Sequence, residues 1–327
     1  MIRVPQLLED RKQYTDERLA ALSEEVGAIP ELTNNQQLCI YVTGSYARAE
    51  ASPHSDLDLF FVREGSSTKE SVSRITKTLV DAELIKISRR MDFLDFSGDG
   101  EYLHVHFVED MKDHLGSPTD DFQNLFTARL LLLLESRPVY NPDLYRRIVD
   151  EIIQAYYRDY HDHTADFKPI FLVNDIIRFW KTLCLNYEHR RNRPREDEAE
   201  RNKNHLKNLK LKFSRMLTCF SSILVLSKNR SVIRPEEVAE IVFQTPLDRL
   251  QSVLDLDGSG TILEHMLADY AWFLEATGRP KEEVLVWIGD EEARVDAFRR
   301  AKVFGDNMYK LLNRVSEGTD TLRYLAI

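Results

Sequence analysis

The sequence predicts an α+β protein: a small mixed β-sheet flanked by helices, followed by an all-helical region. Two apolar runs, 40–42 and 57–62, flank a Gly-Ser turn and read as strands. A third run alternates, with Leu103, Val105 and Phe107 on one face and His104, His106 and Val108 on the other. Beyond Pro142 the apolar residues recur at helical spacing, and Gly or Pro marks the junctions.

In chain order, residues 5–26 carry Leu7, Leu8, Tyr14, Leu19, Leu22 and Val26 between charges and predict a helix, which Pro30 and the polar cluster 33–37 end. Strand, turn and strand follow over 39–62. Residues 66–87 read as a helix with a capping box from Ser66 or Ser67 to Glu70. Its expected buried stripe is Ile75, Leu79, Ala82 and either Leu84 or Ile85. Residues 91–96 and 101–108 read as two strands of a hairpin turning at Gly98-Asp99-Gly100. An apolar helix is expected over 120–135, stopped by Arg137-Pro138. That stop divides the chain into residues 1–137 and a helical domain, 138–327. The second part reads as helices over 144–161, 170–188, 206–226, 235–243, 247–254, 261–278, 281–287 and 290–315.

Composition narrows the classes. The chain has 327 residues, 43% hydrophobic and 30% charged, which suits a globular protein of two domains. No apolar run is long enough for a membrane span, and Met1 to Asp10 lacks the apolar core of a secretory signal. The three cysteines lack zinc spacing and are odd in number, so a reducing cytoplasm is expected. A net charge of -10 disfavours a general nucleic-acid coat, although residues 203–215 are locally basic.

Chemistry concentrates in 39–62. On a strand, Asp56 and Asp58 point one way and Leu57 and Leu59 the other. Paired carboxylates on one face are costly unless a cation sits between them, and all-oxygen ligands favour Mg2+, or Mn2+. Gly44 lets backbone approach a phosphate closely, and Ser45 adds a hydroxyl and an N–H at a helix start. Together these describe a triphosphate held by a turn and a metal held by the neighbouring strand.

The stretch GSYARAEASPHSDLDLFFV resembles the signature of the DNA polymerase β-like nucleotidyltransferase superfamily. It is most similar to the GlnD-like and DUF294-type branch, on Gly44, Ser45, Arg48, Glu50, Ser55, Asp56 and Asp58. The resemblance implies that a nucleoside monophosphate passes from an NTP, ATP or UTP favoured, to a hydroxyl of a protein side chain, an RNA end or a small molecule. Such members often carry a third carboxylate on a strand facing the pair. Here His104 and His106 stand instead, with Asp92, Asp95 and Glu101 nearby. His106 is a candidate proton acceptor, as is Asp58. Arg48 either contacts a phosphate or pairs with Glu50. In the helical part Asn174, Arg178 and Lys181 share one helix face and suit a phosphate-neutralising wall, with Lys210 among the competing cations. Two functions follow as alternatives: a magnesium-dependent transferase, or a nucleotide-binding regulatory module with little or no catalysis. A toxin–antitoxin or phage-defence role suits either.

Overall fold

The computed structural model describes residues 4–33, 35–69, 73–94, 96, 103–191, 197–228, 232–253, 259–320 and 322–323. The chain forms two compact units. One comprises residues 10–163 with 234–245; the other comprises the N-terminal residues up to Glu9, 164–233 and 246–327.

The first unit carries the sheet. Its elements are α1 (Gln6–Gly27, which begins in the other unit), α2 (Pro30–Thr33), β1 (Leu38–Thr43), α3 (Gly44–Ala47), β2 (Asp58–Arg63) and α4 (Arg74–Arg90). There follow β3 (Val105–Phe107), α5 (Val108–Asp113), α6 (Pro118–Phe122), α7 (Leu125–Leu134), β4 (Arg137–Tyr140) and α8 (Pro142–Ala155). The sheet order is β3-β2-β1-β4. β1 pairs antiparallel with β2 and β4, and β2 pairs parallel with β3, so the sheet is mixed as expected.

Alternation along β1 and β2 sorts the two faces. Leu38, Ile40 and Val42 with Leu59 and Phe61 form a core against Leu19, Leu22 and Val26 of α1 and Val80, Leu84 and Ile87 of α4. Each such fully buried side chain contributes about 1.5–3 kcal/mol relative to exposure. The opposite face is aromatic. Tyr145 of α8 leans on Tyr41, Tyr41 stacks on Phe60 at 5.7 Å, and Phe60 stacks on His106 at 6.1 Å.

Several expectations are corrected. The helix predicted over 66–87 begins at Arg74, with Ser73 as N-cap accepting from the Thr76 N–H. Ser66 is used differently: its hydroxyl donates to Asp110 at 2.8 Å. The buried stripe of α4 is Val80, Leu84 and Ile87, while Ile75 and Leu79 face outward. Residues 91–94 and 96 form no strand, and β3 joins the sheet parallel to β2; the Gly98-Asp99-Gly100 turn lies outside the described residues. The helix expected over 120–135 is two helices, because Asn124 adopts φ 56° and breaks it. That leaves Phe122 exposed. Arg137 and Pro138, read as a helix stop, open strand β4.

Arg129 of α7 is fully buried. Its Nη1 and Nη2 meet Asp120 Oδ1 and Oδ2 at 2.8 and 2.6 Å, Nε donates to Tyr156 Oη at 3.0 Å, and Nη1 also donates to the Met111 carbonyl at 2.9 Å. The guanidinium thereby ties α5, α6, α7 and the end of α8 together.

The helical unit holds α9 (Ile170–Arg191), α10 (Glu198–Lys210) and α11 (Met216–Lys228), the last two joined through a π-helical turn, Leu211–Arg215. α12 (Pro235–Phe243) belongs to the sheet unit. The helical unit continues with α13 (Pro246–Gln251), α14 (Gly260–Thr277), α15 (Lys281–Gly289) and α16 (Glu291–Ser316). On α9 the buried residues are Leu172, Val173, Asp175, Ile176 and Phe179, while Ile177, Trp180 and Cys184 are half-buried. Among the described residues, no helix is long and apolar enough to cross a membrane.

Candidate active site

The site begins where the aromatic face of the sheet ends. The pairing Tyr41↔Phe60 is followed by Thr43↔Asp58, so Asp58 opens β2 directly opposite the last residue of β1. The next residue, Gly44, turns the chain into α3 with φ 70°, a left-handed value that favours glycine. A Cβ placed there would lie 3.2 Å from Asp58 Oδ2. Glycine therefore answers two demands at once, the turn and the nearness of the carboxylate.

Asp56 lies two residues before β2 and is exposed; Asp58 is half-buried. Leu57 and Leu59 both enter the core, which turns the two carboxylates away from it. The loop before them is closed by Ser52 and Ser55: the Ser52 N–H donates to Ser55 Oγ at 2.9 Å and the Ser55 N–H to the Ser52 carbonyl at 3.0 Å. Across the site, Ser45 is the one residue from 41 to 50 that is not buried.

The turn is braced from behind. The Glu50 N–H donates to the Ser45 carbonyl at 3.0 Å, and Ala49 is held at φ 58°. Arg48 is buried; its Nε donates to Glu50 Oε1 and its Nη1 to Glu135 Oε2, both at 2.6 Å. Of the two roles open to Arg48, the geometry displays the pair with Glu50 and adds Glu135. Sequence reasoning noted Glu135 only as the end of an apolar helix. A charge closing such a run was the available signal, but its partner lies 87 positions away.

His106 pairs with Val62 across the β2–β3 ladder, and His104 stands 4.4 Å from it, ring to ring. His104 is exposed and His106 buried. Burial, then the neighbouring His104, push the His106 pKa down to about 3. The unfolded chain titrates near 6.5, so between these values it binds more protons than the folded state. Stability attributable to this histidine is therefore complete above about pH 6.5 and declines as pH falls toward 3. His106→Phe, which preserves the stack on Phe60, should flatten that acid loss; comparing urea midpoints of both proteins at pH 7 and pH 4.5 checks it.

Gly44→Ala forces a side chain into a left-handed backbone, costing about 1–2 kcal/mol. It also crowds Asp58. Activity should fall about tenfold or more, because a displacement at reacting groups costs more than the strain alone. Thermal unfolding beside kcat/KM separates the two effects.

Among the described residues, no group of three or more His, Cys, Asp or Glu is placed to hold a metal. Asp56 and Asp58 do suit one hard divalent cation. Magnesium is commonly bound by one or two carboxylates completed by substrate phosphates and water. Asp95 and Glu101 lie outside the described residues, and Asp92 is exposed after α4. Arg178 and Lys181 stand on α9, where Arg178 lies 3.8 Å from the buried Asp175, and Lys210 ends α10. All three belong to the helical unit.

No curated protein matches the chain. Residues 29–112 match the family model described as polymerase beta, nucleotidyltransferase. That segment holds β1, the Gly44–Ser45 turn, Asp56, β2 and β3, so the geometry and the family match converge on one conclusion: the chain carries a nucleotidyltransferase domain of the polymerase β superfamily.

Proposed function

We propose that the chain transfers a nucleoside monophosphate from an NTP to a hydroxyl acceptor and releases pyrophosphate, in the manner of the GlnD-like and DUF294-type branch. The observation that carries this reading is the pair Asp56 and Asp58, turned out of the core beside the glycine turn and the open Ser45. A magnesium or manganese ion held by the two carboxylates supplies charge neutralisation to the phosphates.

The chain's own residues do the rest. Gly44 admits a phosphate to the backbone, and the Ser45 hydroxyl donates to it. Arg48, between Glu50 and Glu135, fixes the turn. Asp58 accepts the proton of the attacking hydroxyl. His106 suits that task less: a group titrating near 3 is a weak base at neutral pH, and it pairs with Val62, four residues along β2 from Asp58. Arg178 and Lys181, with Lys210 as the competing cation, are the helical unit's candidate phosphate-neutralising side chains. Catalysis is assigned to the sheet unit and acceptor binding to the helical unit. A cytoplasmic setting accords with the free thiols Cys39, Cys184 and Cys219.

The test is incubation with each of the four labelled NTPs, magnesium and cell lysate. Label should enter a macromolecule or small acceptor with release of pyrophosphate, and Asp56→Asn with Asp58→Asn should abolish it. Nucleotide binding without pyrophosphate release from any acceptor would overturn the transferase reading.

A further inference from the structure

Charge is distributed unevenly along this acidic chain. Its net charge is -10, yet residues 201–235 contain no Asp or Glu and nine Lys or Arg. Within that segment α10 presents a row. Lys203, Lys207 and Lys210 are four and three residues apart and all exposed, while Asn204 and Leu209 are buried on the opposite side. At 1.5 Å per residue the row runs about 10 Å along one helix face.

The helix beneath the row is well fixed. Asp197 caps it, accepting from the Glu200 N–H at 2.7 Å. Gly289, the last residue of α15, approaches so closely that a Cβ there would lie 2.5 Å from Asn202 Nδ2. Lys203 lies 3.5 Å from Glu200, an exposed pair of small worth that a polyanion displaces readily. A protein of this net charge repels polyanions at long range. Three aligned lysines in an acid-free segment counter that repulsion locally.

We propose that this face of α10 binds the phosphate backbone of a single-stranded nucleic acid. Phosphates recur about every 3.4 Å along a stacked strand, so about three of them match the row. Lysine offers point charges and no base selection, which makes the binding salt-dependent and nearly indifferent to sequence. This binding stands independently of the transferase reading above.

The test is fluorescence anisotropy of a labelled oligouridylate with the full chain over a potassium chloride series. Lys203→Gln, Lys207→Gln and Lys210→Gln combined keep side-chain length and helix propensity. The triple variant should bind about tenfold or more weakly. Its slope of log affinity against log salt should be shallower by about 2, at about 0.7 per phosphate neutralised on a single strand. Asp56→Asn with Asp58→Asn should bind the oligonucleotide like the wild type. No oligonucleotide binding, an unchanged slope in the triple variant, or polyglutamate competing as well as RNA would overturn the nucleic-acid surface, whatever the fate of the transferase reading.

Discussion

Asp58→Asn is expected to lower nucleotidyl transfer about a thousandfold or more while leaving the protein folded. The substitution removes one charge and almost no volume. Asp58 is the first residue of β2, half-buried, with its carboxylate turned from the core that Leu57 and Leu59 occupy. Its backbone pairing with Thr43 does not involve the side chain. The expected loss follows from what that carboxylate is asked to supply. Charge stabilisation of a phosphoryl transition state through a bound cation is worth several kcal/mol, and each 1.36 kcal/mol is a factor of ten. In the proposed reaction Asp58 also accepts the proton of the attacking hydroxyl, so a second contribution goes with it. The measurement is label transfer under single-turnover conditions, with thermal unfolding as the control. A variant that melts with the wild type and transfers within tenfold of it would remove Asp58 from the chemistry.

What the sequence made legible was local. The strand–turn–strand unit at 39–62 could be read because every signal lies within a few residues. A left-handed glycine, alternating Asp and Leu, and apolar flanks need no distant partner to be interpreted. The mixed sheet followed by helices could be read for the same reason. The misreadings share the opposite cause. α4 carries apolar residues on more than one side, and periodicity alone chose Ile75 and Leu79. The core contacts of α1 and the sheet instead select Val80, Leu84 and Ile87. β4 is a four-residue strand containing Pro138, which reads as a breaker until β1 is seen to need an antiparallel neighbour. The role of Arg48 turned on Glu135, and no local pattern joins two residues so far apart.

Arg129→Met should destabilise the sheet unit by about 3–5 kcal/mol, the cost of leaving one partner of a buried ion pair behind. Arg129 and Asp120 are both fully buried, and the guanidinium meets both carboxylate oxygens. Methionine fills much of the same volume, so the loss reports the stranded Asp120 rather than a cavity. Asp120 Oδ2 keeps only the Gly116 N–H, at 3.2 Å, among the contacts described for it. Adding Asp120→Leu should therefore recover much of the loss, because two apolar groups replace an unpaired charge. Urea midpoints of the wild type, both single variants and the double variant complete the cycle, with unchanged m values showing that the same transition is compared. The consequence reaches the active site through α7. This helix carries Arg129 in its middle and leads into Glu135, which holds Arg48 behind the Gly44–Ser45 turn. Loosening α7 should lower transfer activity well below the melting temperature of the variant, with the double variant recovering activity and stability together. If Arg129→Met costs under about 1 kcal/mol, the pair is not the brace assigned to it. If stability falls as expected while transfer at low temperature is untouched, α7 does not support the turn.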